Sequence, residues 1–269
     1  MDMFAFFCKK NFCDIWDNLL HTIIINLIML TLLLALAGLC VLTAYLPGSE
    51  GLKNIYMLFL LLISSIILHI FILAEGENAA KIANYESPKL AKFFKNIVPC
   101  IKDGALLGAT VALLCGITFV SIPYYASQGN MVGLVMMSIV FWMVLISVLA
   151  LQWFLPIRSL MHNDFKKCLK KCYIIFFDNT LFTIGVGLVN LLNLAITVFT
   201  LGILNGTATI SITTTNALRL RLYKYDWYEV NPGLTRQQRK DVPWADLIAN
   251  DKRILGPRKW KSFIFPWKE

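Results

Sequence analysis

The sequence predicts an all-α integral membrane protein, with six transmembrane helices arranged as three hairpins and with amphipathic helices at the cytoplasmic interface. Its residues are 58% hydrophobic and only 15% charged, whereas about a quarter of the residues in soluble domains are charged. The chain contains uncharged apolar blocks about as long as a helix that crosses a bilayer. Its Lys and Arg residues cluster beside those blocks. These three observations define the class of protein.

Five apolar blocks predict the first five spans, because a helix needs about 20 apolar residues to cross the hydrocarbon core. None of the five contains Lys, Arg, Asp or Glu, and they cover residues 19–46, 55–74, 104–125, 131–155 and 180–202. The third span carries Gly104, Gly108, Ala112 and Gly116 at intervals of four. Such a small-residue face lets a second helix approach closely. We expect it to pack against another helix of the chain or against a second copy in a homo-oligomer.

The distribution of basic residues predicts the sixth span and the orientation. Of 25 Lys and Arg residues, five lie in residues 75–103, five in 156–178, and twelve at or beyond Arg219. Because cytoplasmic loops are enriched in Lys and Arg, we expect these regions and the N-terminus to be cytoplasmic. An even number of spans is then required, and residues 204–222 must supply the sixth. This stretch is rich in Thr, Ser and Asn, which suits a helix packed inside a bundle; five spans is the alternative.

Three stretches predict amphipathic helices at the cytoplasmic membrane surface: residues 4–16, 88–102 and 164–177. In the third, apolar residues recur with helical spacing, at Phe165, Cys168, Leu169, Cys172, Tyr173 and Phe176. The basic residues of the second and third helices are Lys92, Lys95, Lys166, Lys167, Lys170 and Lys171. We expect these lysines to fix the orientation of the chain and to contact anionic lipid headgroups. Nucleic acid is therefore not an expected partner, despite the net charge of +9.

Residues 223–269 predict a cytoplasmic tail, because the segment is basic, polar and rich in aromatic residues. Its last part, residues 258–268, intersperses Lys and Arg with Trp and Phe. This pattern is typical of a segment that returns to the headgroup region. A tail that docks on a partner protein is the alternative interpretation, and the sequence leaves both open.

Catalytic motifs are missing from the sequence, so we expect no enzyme activity, cofactor or metal site. The chain lacks a Gly-x-Ser-x-Gly elbow, a His-Glu-x-x-His zinc motif and a Gly-x-x-x-x-Gly-Lys phosphate loop. Its seven cysteines include no Cys-x-x-Cys pair. Because they lie in spans or in segments predicted to be cytoplasmic, we expect them to be reduced thiols.

Polar side chains at membrane depth are the remaining candidates for function. They are Ser65 and His69 in the second span, and Asn190 and Asn193 in the fifth. Hydrogen bonding between helices is the first interpretation of these residues, and a solute path is the second. The five apolar spans contain no acidic residue, which argues against a transporter coupled to protons or sodium.

Three segments beside the spans carry a recognisable pattern: the run Lys92–Asn96, the exit Phe154–Arg158 from the fourth span, and the lysine-rich helix of residues 165–171. They resemble the YesL-like family of uncharacterised bacterial membrane proteins. The resemblance covers roughly residues 1–222. It implies a multi-pass protein of the bacterial inner membrane, with both termini in the cytoplasm, associated with carbohydrate ABC uptake systems.

This resemblance and the residues together predict a non-enzymatic accessory protein. We expect it to contact ABC transporter subunits through its cytoplasmic helices and tail. The alternative function is a small transporter or channel, with a path lined by polar residues of spans two, five and six.

Overall fold

The computed structural model describes residues 3–235 and 237–258, and every regular element in these residues is helical. The described residues form the α-helices α1 Met3–Asp17, α2 Leu19–Leu42, α3 Glu50–Ala83, α4 Leu90–Ser127, α5 Met131–Leu151, α6 Phe154–Met161, α7 Phe165–Asp178, α8 Thr180–Phe199, α9 Thr207–Val230, α10 Trp244–Leu247 and α11 Ala249–Leu255. Two short 3-10 turns, Thr43–Tyr45 and Gln238–Lys240, complete the described elements.

Five stretches of helix are long and apolar enough to cross a membrane: Leu19–Tyr45, Glu50–Ala83, Leu90–Ser127, Met131–Met161 and Thr180–Phe199. Each contains all or nearly all of one of the five apolar blocks of the sequence. These helices leave large apolar side chains exposed, among them Leu34, Leu58 and Phe119. Exposed apolar side chains of this kind are compatible with a lipid environment, because lipid tails are as apolar as the side chains themselves. The prediction of an all-α membrane protein is confirmed at this level.

The second predicted surface helix is not a separate element, because α4 continues without a break from Leu90 to Ser127. Asp103, at the expected boundary, accepts a hydrogen bond from Arg158 Nε at 2.7 Å. Its neighbour Gly104 packs on the backbone of α3. Tertiary contacts therefore hold the boundary residues in the helix. The prediction of a distinct helix at residues 88–102 is wrong, and that stretch is the first part of one long helix.

Of the other two predicted surface helices, α7 fits the expectation and α1 does not. α7 buries its apolar stripe, including Cys172, and leaves Lys166 exposed. α1 instead buries its Lys10 completely. Asn11 of α1 also donates a hydrogen bond to Thr213 Oγ1 of α9, over 3.0 Å. α1 is therefore part of the protein core and does not lie on its surface.

α9 is the central helix of the fold, although it is the least apolar of the long helices. Every residue from Ser211 to Leu218 is buried, and α9 contacts α1, α2, α3, α6 and α8. Its hydroxyl groups bond to backbone carbonyls one turn earlier, as Thr213 Oγ1 does to Thr209 O at 2.8 Å. Because the polar atoms are largely satisfied within the helix itself, this sequence can occupy the centre of a bundle.

α8 and α9 form an antiparallel hairpin that starts and finishes at one end of the bundle. Lys224 Nζ of α9 lies 2.8 Å from Asp178 Oδ2, just before the start of α8. We call this the charged end, because the ion pairs of Glu77, Arg158 and Arg219 also lie there. At the other end of the hairpin, Ala208 N donates to Asn26 Oδ1 over 3.1 Å. Asn26 is only two turns into α2, so the hairpin turn does not reach the far end of α2.

The sixth crossing is not confirmed, because α9 is not among the helices that are long and apolar enough to cross a membrane. Ile212 of α9 packs against Ala79 and Ile82 of α3. Both lie beyond residue 74, the predicted end of span two. Only the first turns of α9 therefore reach the depth of the predicted spans.

The tail up to residue 258 packs against the helical domain. Ile248 and Leu255 are buried in the main apolar core. Asp251 is 1% exposed and accepts two hydrogen bonds from Arg219, over 2.8 and 3.3 Å. The predicted boundary at residue 222 therefore does not separate an independent unit. Residues 259–269, which include most of the predicted headgroup-binding segment, lie outside the described residues.

Candidate functional site

A cavity of about 540 Å³ lies between α3, α4, α5 and α9. Most of its lining is apolar, and it contains no Lys, Arg, Asp or Glu. The polar side chains that line it are His69, Thr118, Gln152, Thr207, Ser211 and Thr214. Three predicted spans supply its apolar walls, and α9 supplies most of its hydroxyl groups. The cavity is therefore a membrane-depth site with one polar side.

His69 presents a hydrogen-bond acceptor to this cavity. Its Nδ1 lies 2.7 Å from Ser65 O, and a carbonyl oxygen can only accept, so Nδ1 carries the hydrogen. In the neutral imidazole, Nε2 is then an acceptor. Nε2 has no hydrogen bond with any residue that the structure describes. Of the residues predicted from the sequence, His69 alone lines the cavity directly.

α9 places hydroxyl groups along the opposite wall. Thr207, Ser211 and Thr214 share one face of the helix, at intervals of four and three. Ser211 Oγ donates to Thr207 O over 2.8 Å. Thr207 Oγ1 is buried and has no hydrogen-bond partner among the described residues. Because a buried polar atom without a partner is unfavourable, the hydroxyl of Thr207 is the unsatisfied polar group of this wall.

Gln152 completes the polar side and connects the cavity to α8. Its Nε2 donates to Thr183 O over 3.1 Å, and its Oε1 accepts from Asn190 Nδ2 over 3.4 Å. The predicted residue Asn190 therefore acts through Gln152 and does not line the cavity. Asn190 Oδ1 has no partner among the described residues.

Ser65 and Asn193 have structural contacts away from the cavity lining. Ser65 Oγ donates to Gly108 O over 2.8 Å and ties α3 to α4. Asn193 Nδ2 donates to Thr213 Oγ1 over 3.2 Å and ties α8 to α9. Interhelical hydrogen bonding is therefore the role that the geometry supports for both residues.

The predicted small-residue face of α4 is used for close packing at two of its four positions. A Cβ on Gly104 or on Gly108 would lie 2.6 Å from a Cα atom of α3. Ala112 is half-buried, and a Cβ on Gly116 would meet no atom within 4 Å. The face therefore packs within the monomer at Gly104 and Gly108, and Gly116 takes no part in that packing. An interface between copies stays a prediction.

The predicted surface lysines fall into two groups. Lys92 Nζ lies 2.6 Å from Glu77 Oε2, and Lys171 Nζ lies 3.7 Å from Met161 Sδ. The exposed members are Lys95, Lys166, Lys167 and Lys170. These four are available to lipid headgroups or to a partner, and their binding role stays a prediction.

Gln152 is a site residue that the sequence did not single out, whereas Thr207 belongs to the polar stretch of predicted span six without having been named individually. Gln152 follows directly after a span, where an interfacial position is the ordinary interpretation of a polar residue. The repeat of hydroxyl residues at 207, 211 and 214 was a usable signal for a polar helix face. Within residues 3–235 and 237–258, no three His, Cys, Asp or Glu residues lie close enough to hold a metal ion.

The five long apolar helices are consistent with a multi-pass membrane protein. No family model, no curated protein and no solved structure matches the chain. The resemblance to the YesL-like family therefore stays a prediction.

Proposed function

We propose that the protein is a non-enzymatic small transporter of the bacterial inner membrane, which binds a small neutral amphiphile in the cavity between α3, α4, α5 and α9. The observation that carries this proposal is the pairing of apolar walls with a few convergent polar groups. Ligand sites typically combine these two features. His69 supplies an acceptor, and Thr207 supplies a hydroxyl group that lacks a partner.

The lining also supports a neutral ligand. Transferring a charge into a low-dielectric site is costly unless an opposite charge meets it. None of the lining residues is Lys, Arg, Asp or Glu. A molecule with an apolar body and a hydroxyl or amide donor matches both parts of the cavity.

The test uses the purified protein in nanodiscs, with radiolabelled monoacylglycerols and alkyl glycosides as probes. We expect Thr207→Val and His69→Leu each to weaken binding about tenfold, because each removes a hydrogen-bonding group from the cavity. Thr110→Val is the matched control, since Thr110 Oγ1 bonds within α4 to Leu106 O at 2.8 Å and does not line the cavity. Liposome flux of the bound probe should fall in parallel with binding.

Two results would count against this function. One is equal affinity of the wild type and both cavity variants for every probe that binds. The other is binding without any flux, which would leave a ligand-binding protein and remove the transporter role.

A second candidate is the accessory role in a carbohydrate ABC uptake system. It is favoured by the exposed Lys166, Lys167 and Lys170, which form a basic face on α7 at the charged end, with only the weak, exposed pair between Lys167 and Asp164, at 3.9 Å, to offset their charge. Described tail residues pack on the helical domain, so this face is a better candidate for a partner contact than the tail before residue 259. Crosslinking in native membranes should recover permease subunits, and the triple Lys→Gln variant of α7 should lose them. Recovery of no transporter subunit from wild-type membranes would remove this candidate.

We place the charged end and both termini in the cytoplasm, following the distribution of Lys and Arg. Because the α8–α9 hairpin starts and finishes at the charged end, this orientation does not depend on a sixth full crossing. We propose that the hairpin enters the membrane from the cytoplasmic side and turns within it. The apolar residues of its turn support this placement.

A further inference from the structure

A second cleft lies at the charged end and brings four cations together. Its volume is about 630 Å³, and it is bounded by the α7–α8 junction, by α9 and by the tail segment 239–244. The cations are Arg221 and Lys224 of α9 with Arg239 and Lys240 of the tail, and Asp178 is the one carboxylate that lines the cleft. This cleft is separate from the intramembrane cavity and shares no lining residue with it.

The Arg221 side chain is held in the cleft between two aromatic rings, and its Nε has no hydrogen-bond partner among the described residues. Its guanidinium carbon lies 3.8 Å from the ring centroid of Phe182 and 5.2 Å from that of Trp244. Its Nε is buried, and no acceptor among the described residues bonds to it. The two aromatic rings favour a cation at this position. They do not satisfy its N–H groups, so an acceptor from outside the chain would complete the site.

The other cations leave an excess of positive charge. Lys224 Nζ is bonded to Asp178 Oδ2 at 2.8 Å and to Asn179 Oδ1 at 3.1 Å. Arg239 lies over the Tyr228 ring, with its guanidinium carbon 5.8 Å from the ring centroid. Within the described residues, neither Arg239 nor Lys240 has an ion pair with a carboxylate. The single carboxylate is thus taken by Lys224, and three cations remain for an anion.

The flank of the cleft identifies which anion fits. Phe177 and Leu181 line it and are 67% and 87% exposed. They stand at the entry to α8, which is long and apolar enough to cross the membrane. An apolar edge beside a cationic cleft, at the end of a span, is the position where a lipid phosphate and its acyl chains meet a membrane protein.

We propose that this cleft binds the phosphate headgroup of an anionic phospholipid. Arg221 and Arg239 contact the phosphate, and Phe177 and Leu181 contact the acyl chains. Arginine suits this role because its planar guanidinium binds phosphate oxygens in pairs. Since the cleft is closed on one side by residues 239–244, the bound lipid also fastens this part of the tail to α9.

The test measures binding of dioctanoyl phosphatidylglycerol to the full-length protein in detergent, by native mass spectrometry. Dioctanoyl phosphatidylcholine and inorganic phosphate are the comparison probes. We expect Arg221→Gln/Arg239→Gln to weaken phosphatidylglycerol binding by about tenfold, since two charge-assisted contacts are lost. Arg239→Gln/Lys240→Gln changes only exposed side chains, so it should show the same direction of effect without a loss of fold. Lys166→Gln/Lys170→Gln removes the same charge from α7 and should leave the affinity within twofold.

Each alternative result overturns a part of the proposal. An equal loss in the α7 control would show that net charge alone governs binding. Unchanged phosphatidylglycerol affinity of Arg239→Gln/Lys240→Gln, with a retained melting temperature, would show that the cleft is not the binding site. Displacement of the lipid by inorganic phosphate at equal concentration would assign the cleft to free phosphate and exclude the acyl-chain contacts.

Discussion

Lys10 and Asp14 form an ion pair inside the protein, one helical turn apart on α1. Their side chains are 0% and 6% exposed, and Lys10 Nζ lies 2.5 Å from Asp14 Oδ2. The ring centroid of Tyr85 lies 4.0 Å from the same nitrogen. Burial lowers the pKa of Lys10 and raises the pKa of Asp14, because it disfavours the charged form of each, and their mutual attraction opposes both shifts. Removing either residue would therefore leave the other as a buried charge without its ion-pair partner.

We predict that Lys10→Met destabilises the protein by about 3–5 kcal/mol, since it leaves the Asp14 carboxylate buried and unpaired. The double variant Lys10→Met/Asp14→Leu should recover most of this loss, because replacing both partners by apolar groups is often close to neutral. The measurement is the unfolding free energy in detergent across the double-mutant cycle. Lys53→Met is the control, as it breaks the exposed pair with Glu50, and it should cost less than about 1 kcal/mol. A double variant as unstable as Lys10→Met alone would contradict this account.

The packing of α3 against α4 depends on glycine at two positions. A Cβ on Gly108 would lie 2.6 Å from Ile66 Cα and 2.7 Å from Ser65 O. Backbone atoms cannot move aside as a side chain does, so the two helices would have to separate. Gly116 lies on the same predicted face, and it has open space around its Cα.

We predict that Gly108→Leu lowers the melting temperature of the purified protein and that Gly116→Leu does not. The expected cost at Gly108 is at least about 1–3 kcal/mol, the usual penalty for overpacking, and it is larger here because backbone is displaced. Gly108→Leu should also break the hydrogen bond from Ser65 to Gly108 O. Equal melting temperatures for the two variants would show that α3 and α4 do not pack closely at this position.

At the scale of elements, hydropathy located the helices that face lipid, but it could not locate the helix that lies at the centre. The five spans can be predicted from the sequence because a helix surrounded by lipid has apolar residues on all of its faces. α9 faces protein on nearly every side, and many of its polar side chains bond to backbone carbonyls or to neighbours, as Thr213 does with Asn11 and Asn193. Likewise, the local sequence at Asp103 and Gly104 predicts a boundary between two helices. Only the contacts of these residues with Arg158 and α3 explain why α4 continues through them.

At the scale of the whole molecule, the topology depends on whether the turn between α8 and α9 lies inside the membrane or on its far side. Phe199 and Leu201 are 88% and 76% exposed, and residues 199–206 contain no charge. The turn between α4 and α5, residues 127–130, is instead Ser-Gln-Gly-Asn. Exposed apolar side chains at a turn are stable in lipid and unfavourable in water, which supports a turn inside the membrane.

We predict that a cysteine placed at Leu204 in a cysteine-free background reacts with a membrane-impermeant maleimide from neither side. Glu229→Cys should react from the cytoplasmic side and Gln128→Cys from the opposite side, as both positions are exposed in polar segments. Reaction of Leu204→Cys from the Gln128 side would establish six full crossings and overturn the membrane-embedded turn. Reaction from the Glu229 side would place the hairpin outside the membrane.

The sequence by itself determined the class of protein, the five apolar helices and the location of the basic residues. It could do so because hydropathy and charge act on each segment independently of its neighbours. The tertiary structure decided which polar groups line the same site: His69 and Thr207 line one cavity, and Arg221 and Arg239 line one cleft. These residues come from different elements of the chain, and their grouping depends on how α9 is enclosed by the other helices. No local pattern encodes that enclosure, because the burial of α9 is a property of the helices packed around it.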